Sequence, residues 1–223
     1  KARKIYHENL SRETHDKFIP SSTPIWWVIQ NITFQYYDDA KPVIDNLHLK
    51  INSGHVLVVT GASGSGKSTF IGLLLGLLKP QNGMIYVVHD HDKISLLEDF
   101  KPRLLQSLGY VGPENFLIEG TVLENITYGF EHQPSQEDIK LALEKAECQF
   151  VYGLPLKLNH RLTEQGVGLS AGQKQRLALC RALLRKPKAL ILDEATANLD
   201  VETEQRLVET LCKLKGQMTI IAV

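Results

Sequence analysis

His55-Val-Leu-Val-Val-Thr-Gly61-Ala-Ser-Gly-Ser-Gly66-Lys67-Ser68-Thr-Phe-Ile-Gly-Leu-Leu-Leu75 decides how this chain folds. Its opening residues are nearly all apolar and β-branched, the pattern of a central strand covered on both faces. Its closing residues form an apolar helical run, and between the two Gly61 to Ser68 fits G-x-x-x-x-G-K-[ST]. Strand, glycine-rich turn and helix in that order make a phosphate cradle. Glycines let successive backbone N–H groups from Gly64 to Ser68 approach an anion closely, and the helix N-terminus adds positive potential. Lys67 supplies a point charge for β- and γ-phosphates, and Ser68 offers a hydroxyl to Mg²⁺, which prefers oxygen ligands in octahedral array.

A second strand ends in acid. Ala189-Leu-Ile-Leu192 reads as buried and runs into Asp193-Glu194, two carboxylates at the carboxyl edge of a sheet, where ligands of open α/β sheets bind. Asp193 is expected to hold Mg²⁺ through water, and Glu194 to orient or deprotonate the water that attacks a γ-phosphate.

Working outward, Ile32, Phe34 and Tyr36 alternate, Asp38-Asp39 turns the chain, and Leu47, Leu49 and Ile51 alternate again, which predicts a small antiparallel sheet. Residues 84–88 and 109–111 read as further strands. Ser135 with Asp138 forms a capping box, and Ile139, Ala142, Leu143 and Ala146 follow at helical spacing, so residues 120–160 are expected to hold a helical insertion. A long helix is expected from Ser170 to Arg185, ended by Lys186-Pro187. Strands alternating with helices predict an α/β domain on a mostly parallel sheet.

Composition closes off other classes. Among 223 residues, 25 Lys+Arg balance 25 Asp+Glu, so no basic field exists to release counterions from a nucleic acid, and a nucleic-acid partner is not expected. Cys148, Cys180 and Cys212 lie far apart with no C-x-x-C pair, which predicts small core residues and no zinc framework. The longest apolar run, Ile71 to Leu78, is broken by Gly72 and Gly76 and falls well below the roughly 20 residues that span a bilayer. Residues 1–24, polar and closed by Pro20-Ser-Ser-Thr-Pro24, read as a tail or linker. His89 and His91 are expected in a solvated loop after a strand, away from any metal.

Leu169-Ser170-Ala171-Gly172-Gln173, some twenty residues before Asp193, resembles the LSGGQ signature of ATP-binding cassette (ABC) proteins, and the resemblance runs from about residue 28 to the end. It implies a P-loop NTPase (RecA-like) core of residues 25–113 and 171–223, carrying an N-terminal antiparallel β-subdomain and an inserted α-helical subdomain at about 114–170. It implies ATP held by Gly61, Ser63, Gly64, Ser65 and Gly66 with Lys67, Ser68 and Thr69, the adenine stacking on Tyr36 or on Tyr37 in its stead. Mg²⁺ would sit on Ser68 and Asp193, with Glu194 and Lys67 catalytic and Ala195 to Asp200 as the D-loop region. Ser170 caps a helix whose first N–H groups have no intrahelical partner, an anion site. In the family that tip, with Gly172 and Gln173, faces the γ-phosphate held by a second nucleotide-binding domain, and two nucleotides are sandwiched head to tail.

Phe116-Leu-Ile-Glu-Gly120-Thr-Val-Leu-Glu-Asn125-Ile-Thr-Tyr128-Gly129 resembles the F-L-F-x-G-T-V-x-E-N-I-x-Y-G stretch of exporter cassettes. Glu164-Gln165-Gly166 resembles the end of their transmembrane-contacting loop, with Arg161 where its first glutamate is expected. The resemblance therefore implies the ATP-hydrolysing motor of an exporter at the cytoplasmic face of a membrane, partnered by transmembrane domains outside this chain. A soluble cassette ATPase of DNA repair or translation would need a coiled-coil insertion or second cassette, and a small-molecule kinase has no use for Leu169 to Gln173. Three departures stand out. Pro113 occupies the place of the family's Q-loop glutamine and has neither amide nor N–H. Ala171 replaces a glycine and is expected in a right-handed turn. The sequence ends at Val223, before the family's switch histidine, so hydrolysis by this chain is expected to be slow.

Overall fold

A computed structural model describes residues 24–38, 40–89, 92–95, 107–114, 116–164, 166–195 and 199–223. The tail, His91, Gln165 and residues 196–198 of the D-loop region lie outside the described residues.

Two four-stranded sheets carry the fold. In the antiparallel one, β1 (Trp26–Phe34) lies between β2 (Ile44–Ile51) and β4 (Asn82–His89), with β5 (Asp92–Ser95) beyond β4. Trp27 and Ile29 of β1 face inward, and so do Ile32 and Phe34, although the odd-numbered parity changes between them. A register shift between Ile29 and Ile32, with Asn31 at φ 50°, absorbs the extra residue as a bulge and keeps all four side chains in the core. β4 continues through His89, which pairs with Asp92, so His89 belongs to a strand and not to the loop the sequence suggests.

The second sheet is wholly parallel, in the order β3 (Val56–Val58), β10 (Thr219–Ala222), β9 (Ala189–Leu192), β6 (Leu108–Val111). Side chains alternate faces along a strand, and here each face has its own core. Ala189, Ile191 and Ile221 join β1, β4 and the helix α1 (Lys67–Leu74) in one cluster, while Leu190, Leu192 and Ile220 join the helical half in the other. β9 and β10 are thus the strands covered on both sides. The strand leading into the phosphate loop is not central: among the described residues β3 is an edge strand, with Val56 and Val58 exposed and Leu57 packed inward. A continuous apolar run signals burial without fixing rank in a sheet, because that rank depends on partners some 160 residues away in sequence.

The helical half holds α2 (Val122–Ile126), α3 (Gln136–Lys145), two short 3₁₀ turns, the two-residue strands β7 (Gly120–Thr121) and β8 (Arg161–Leu162), and the long α4 (Ala171–Leu184). Only half of the expected box forms at α3. Ser135 Oγ accepts from Asp138 N at 3.1 Å, but the Asp138 carboxylate turns to Lys186 at 2.7 Å. α5 (Val201–Lys213) is capped by Asp200, whose carboxylate accepts from Thr203 N at 3.0 Å, and buries Thr203, Leu207 and Leu211 along one stripe. Cys148 and Cys180 are core residues as expected, whereas Cys212 is exposed because it follows Leu211 onto the outer face of that helix.

Candidate functional site

Gly61 to Ser68 links β3 to α1 in one exposed turn. Gly64 (φ +78°) and Gly66 (φ +92°) take left-handed conformations that side-chain-bearing residues avoid. Ser65 N donates to Ala62 O at 3.2 Å and closes the bend. Gly66 is the N-cap of α1 and offers no side-chain acceptor, and the first turn holds no acidic residue. The leading N–H groups are therefore available to an anion, as at other helix starts that bind phosphate. Lys67 folds back over the turn, its Nζ donating to Gly61 O (2.9 Å) and Ala62 O (3.0 Å). Ser63 and Ser68 are exposed, so the Ser68 hydroxyl is free to ligate. Thr69 differs: it is buried, and its hydroxyl shares a 2.9 Å hydrogen bond with the Tyr36 hydroxyl. Tyr36 stands edge-on to Phe34, their ring centroids 5.0 Å apart, and keeps more than half its surface open beside the loop, as does Tyr37.

β9 delivers Asp193 and Glu194 to the carboxyl edge of the parallel sheet. Asp193 N donates to Val111 O at 2.8 Å, and its buried carboxylate receives a long 3.4 Å contact from the Tyr110 hydroxyl. Burial, then the neighbouring Glu194 charge, hold the Asp193 carboxyl above its ordinary range, against opposing pulls from Tyr110 and from Lys67 of the loop. Burial, followed by Asp193, likewise raises the Tyr110 phenol. A desolvated carboxylate with no ion-pair partner among the described residues fits the role of ligand to a divalent cation, whose charge would remove the penalty. No group of three His, Cys, Asp or Glu gathers among the described residues.

Glu194 has φ +55° although it is not glycine. Its N–H donates to Val223 O at 3.1 Å, and its carbonyl accepts from Gln175 Nε2 at 2.8 Å. Neither Gln175 nor Tyr110 is flagged by the sequence, since both reach the site only through tertiary packing.

The signature stretch stands apart from the loop, with no hydrogen bond joining the two among the described residues. Ser170 is exposed and caps α4 reciprocally with Gln173: Gln173 N donates to Ser170 Oγ at 3.2 Å, and Ser170 N donates to Gln173 Oε1 at 2.9 Å. Ala171 is the first right-handed residue of the helix, and Gly172 is buried behind it. Pro113 and Glu114 lie exposed after β6 at the mouth of a groove of about 710 Å³ between β6 and α4. Arg181 crosses that groove, donating to Asn125 O (2.8 Å) and Phe116 O (2.9 Å), with the Phe116 and Tyr128 rings each 5.9 Å away.

Residues 44–197, more than half of the chain, match the family described as ABC transporter. This chain belongs to that family. ABC domains bind ATP, and hydrolysis is the family's general activity. The cassette is 36% identical over 189 residues to a multidrug resistance ABC transporter ATP-binding and permease protein of Lactococcus lactis subsp. cremoris, covering 83% of this chain and 31% of that protein. It is 36% identical to the transport/processing ATP-binding protein ComA of Streptococcus pneumoniae, covering 83% of the cassette and 26% of the relative. A solved structure of a bacterial Atm1-family ABC exporter with ATP bound superposes over the whole cassette, with a TM-score of 0.76 at 27% identity, and the cassette covers 40% of that chain. The cassette thus spans about a third of the length of the relatives it matches, and these are exporters, so a DNA-repair or translation ATPase is not favoured. No helix among the described residues is long and apolar enough to cross a membrane.

Proposed function

We propose that the cassette is the motor of an exporter: two copies, or this copy and a related one, close on two Mg-ATP and hydrolyse them to drive transmembrane parts encoded outside residues 1–223. The carrying observation is the pairing of a loop poised for phosphate, with Gly64 and Gly66 left-handed and the α1 N-terminus open, with Asp193 and Glu194 at the carboxyl end of β9, which β10 alone separates from β3 in the parallel sheet. The exposed Ser170 tip supports a binding surface shared with a second copy, since its own loop lies elsewhere.

In this mechanism the N–H groups of Gly64 and residues 66–68 hold the β-phosphate while the Ser65 N–H keeps the bend closed on Ala62 O, and Lys67 leaves its two carbonyl acceptors for the β- and γ-phosphates. Ser68 and Asp193 would hold Mg²⁺, which when bound neutralises charge gathering between the β- and γ-phosphates. Glu194 orients the attacking water and takes its proton. Tyr36 stacks on adenine. The second copy's Ser170, with its helix N-terminus, closes over the γ-phosphate, and Gln173 serves it by holding the cap. In this reading the groove between β6 and α4 receives the transmembrane part, and the assembly works at the cytoplasmic face of a membrane.

Glu194→Gln tests the reading. ATP binding should persist, hydrolysis should cease, and an ATP-bound dimer should accumulate in gel filtration. Normal turnover by that variant removes Glu194 as the base, and a monomer at saturating ATP removes the sandwich.

A further inference from the structure

We propose that Gln175 is a positioning residue for Glu194, fixing the general base to the same helix whose tip carries Ser170. The proposal rests on the reading of Glu194 as base and adds what holds it in place.

Glu194 sits at φ +55°, a conformation that survives for a side-chain-bearing residue only where the surroundings over-determine it. Both of its backbone polar groups are fixed: the N–H on Val223 O at 3.1 Å and the C=O by Gln175 Nε2 at 2.8 Å. The first bond comes from the adjoining strand of the sheet. The second comes from outside the sheet, from the second turn of α4, and is a buried side chain reaching across to the backbone of the catalytic carboxylate. Because a carbonyl can only accept, the amide must present its nitrogen, so the orientation of Gln175 is dictated by chemistry.

The rest of the Gln175 amide is a poor stabiliser. The side chain is only 1% exposed, and Oε1 has no hydrogen-bond partner among the described residues. A buried acceptor left unmet costs stability, and an apolar side chain of the same shape would avoid that cost. What the amide contributes is the donor to Glu194. Ser170 and Gln175 belong to one continuous helix of 14 residues plus its cap, so a displacement of the tip on meeting a partner's nucleotide reaches the Glu194 backbone through one rigid element and one hydrogen bond.

The test uses the full-length protein with Gln175→Met, Gln175→Glu and Glu194→Gln. Gln175→Met keeps the volume and removes both the donor and the unmet Oε1, so kcat should fall about tenfold or more, with KM for ATP and nucleotide Kd within about twofold and Tm within a few degrees of native. Gln175→Glu donates only when protonated, so its kcat relative to native at the same pH should rise between pH 8 and pH 6. Native kcat in Gln175→Met overturns the proposal, as does a loss accompanied by an equal loss of nucleotide affinity or by a Tm more than about 5 °C lower, beyond what one hydrogen bond accounts for. A pH-independent deficit in Gln175→Glu also counts against it. Glu194→Gln separates the two levels: if it turns over normally the base assignment itself fails, whereas if it is dead and Gln175→Met is unimpaired only the positioning role fails.

Discussion

Gly64→Ala and Gly66→Ala form a matched pair in which one variable changes. Both residues are left-handed, and an L-residue there costs about 1–2 kcal/mol, offset in part by about 0.4–1 kcal/mol from the stiffer unfolded chain. At Gly64 a new Cβ meets nothing within 4 Å, so the net loss should be about 1 kcal/mol. At Gly66 the Cβ would lie 2.9 Å from Val43 Cγ1 and 3.3 Å from Val43 O, which adds the cost of overpacking, about 1–3 kcal/mol. Gly66→Ala should therefore lose about 2–4 kcal/mol in all. Urea unfolding of the nucleotide-free cassette reads both losses as shifts in midpoint at constant slope. Val43→Ala removes the nearer obstacle, so a double-mutant cycle of Val43→Ala with Gly66→Ala should show favourable coupling of about 1 kcal/mol, and none with Gly64→Ala. Equal losses for the two alanines, or zero coupling between positions 43 and 66, would refute the steric account of why the loop needs its second left-handed glycine.

Asp193→Asn should raise the Tm of the metal-free cassette at neutral pH. Its carboxyl is pushed above its ordinary range in the folded state, so native stability falls as pH rises through that window, and the advantage of Asn should vanish on acidification below about 3.8. Pro113→Gln should raise steady-state ATP turnover, and an unchanged or lower rate shows that Pro113 is no handicap. Ser170→Ala removes the cap of α4 and should lower stability by about 1 kcal/mol in chemical unfolding. Trp27→Ala empties the core between β1 and α1, where Trp27 Nε1 also donates to Leu74 O at 3.3 Å, and should lose about 3–5 kcal/mol by the same measurement.

What could be read from the sequence was what is written locally. The turn from Gly61 to Ser68 is contiguous, its glycines mark backbone that few residues tolerate, and its flanks announce strand and helix. Asp193-Glu194 was legible because the four apolar residues before it read as a buried strand, and Ser170 because a serine ahead of a helical run reads as its cap, whereas the reciprocal bond from Gln173 came only with the structure. Rank and partnership were illegible. Nothing in Val56-Leu57-Val58 says that β10 closes one side and leaves the other open. Cys212 differs from Cys180 only by which face of its helix meets a core. Tyr110 and Gln175 reach Asp193 and Glu194 across 83 and 19 residues, and no periodicity encodes such meetings.

Among the described residues β3 pairs only with β10, and Gly54, just before β3, exchanges hydrogen bonds with Thr219 and Gly216. During synthesis the nucleotide cradle would therefore leave the ribosome early and wait for a support made about 160 residues later. Closing so long a loop is entropically slow, and until it closes Leu57 and the pairing edge of β3 lie bare. A nascent chain carrying only the first half should consequently ignore ATP and attract holding chaperones. Competence to bind would then arrive abruptly, when the residues around 220 clear the exit tunnel.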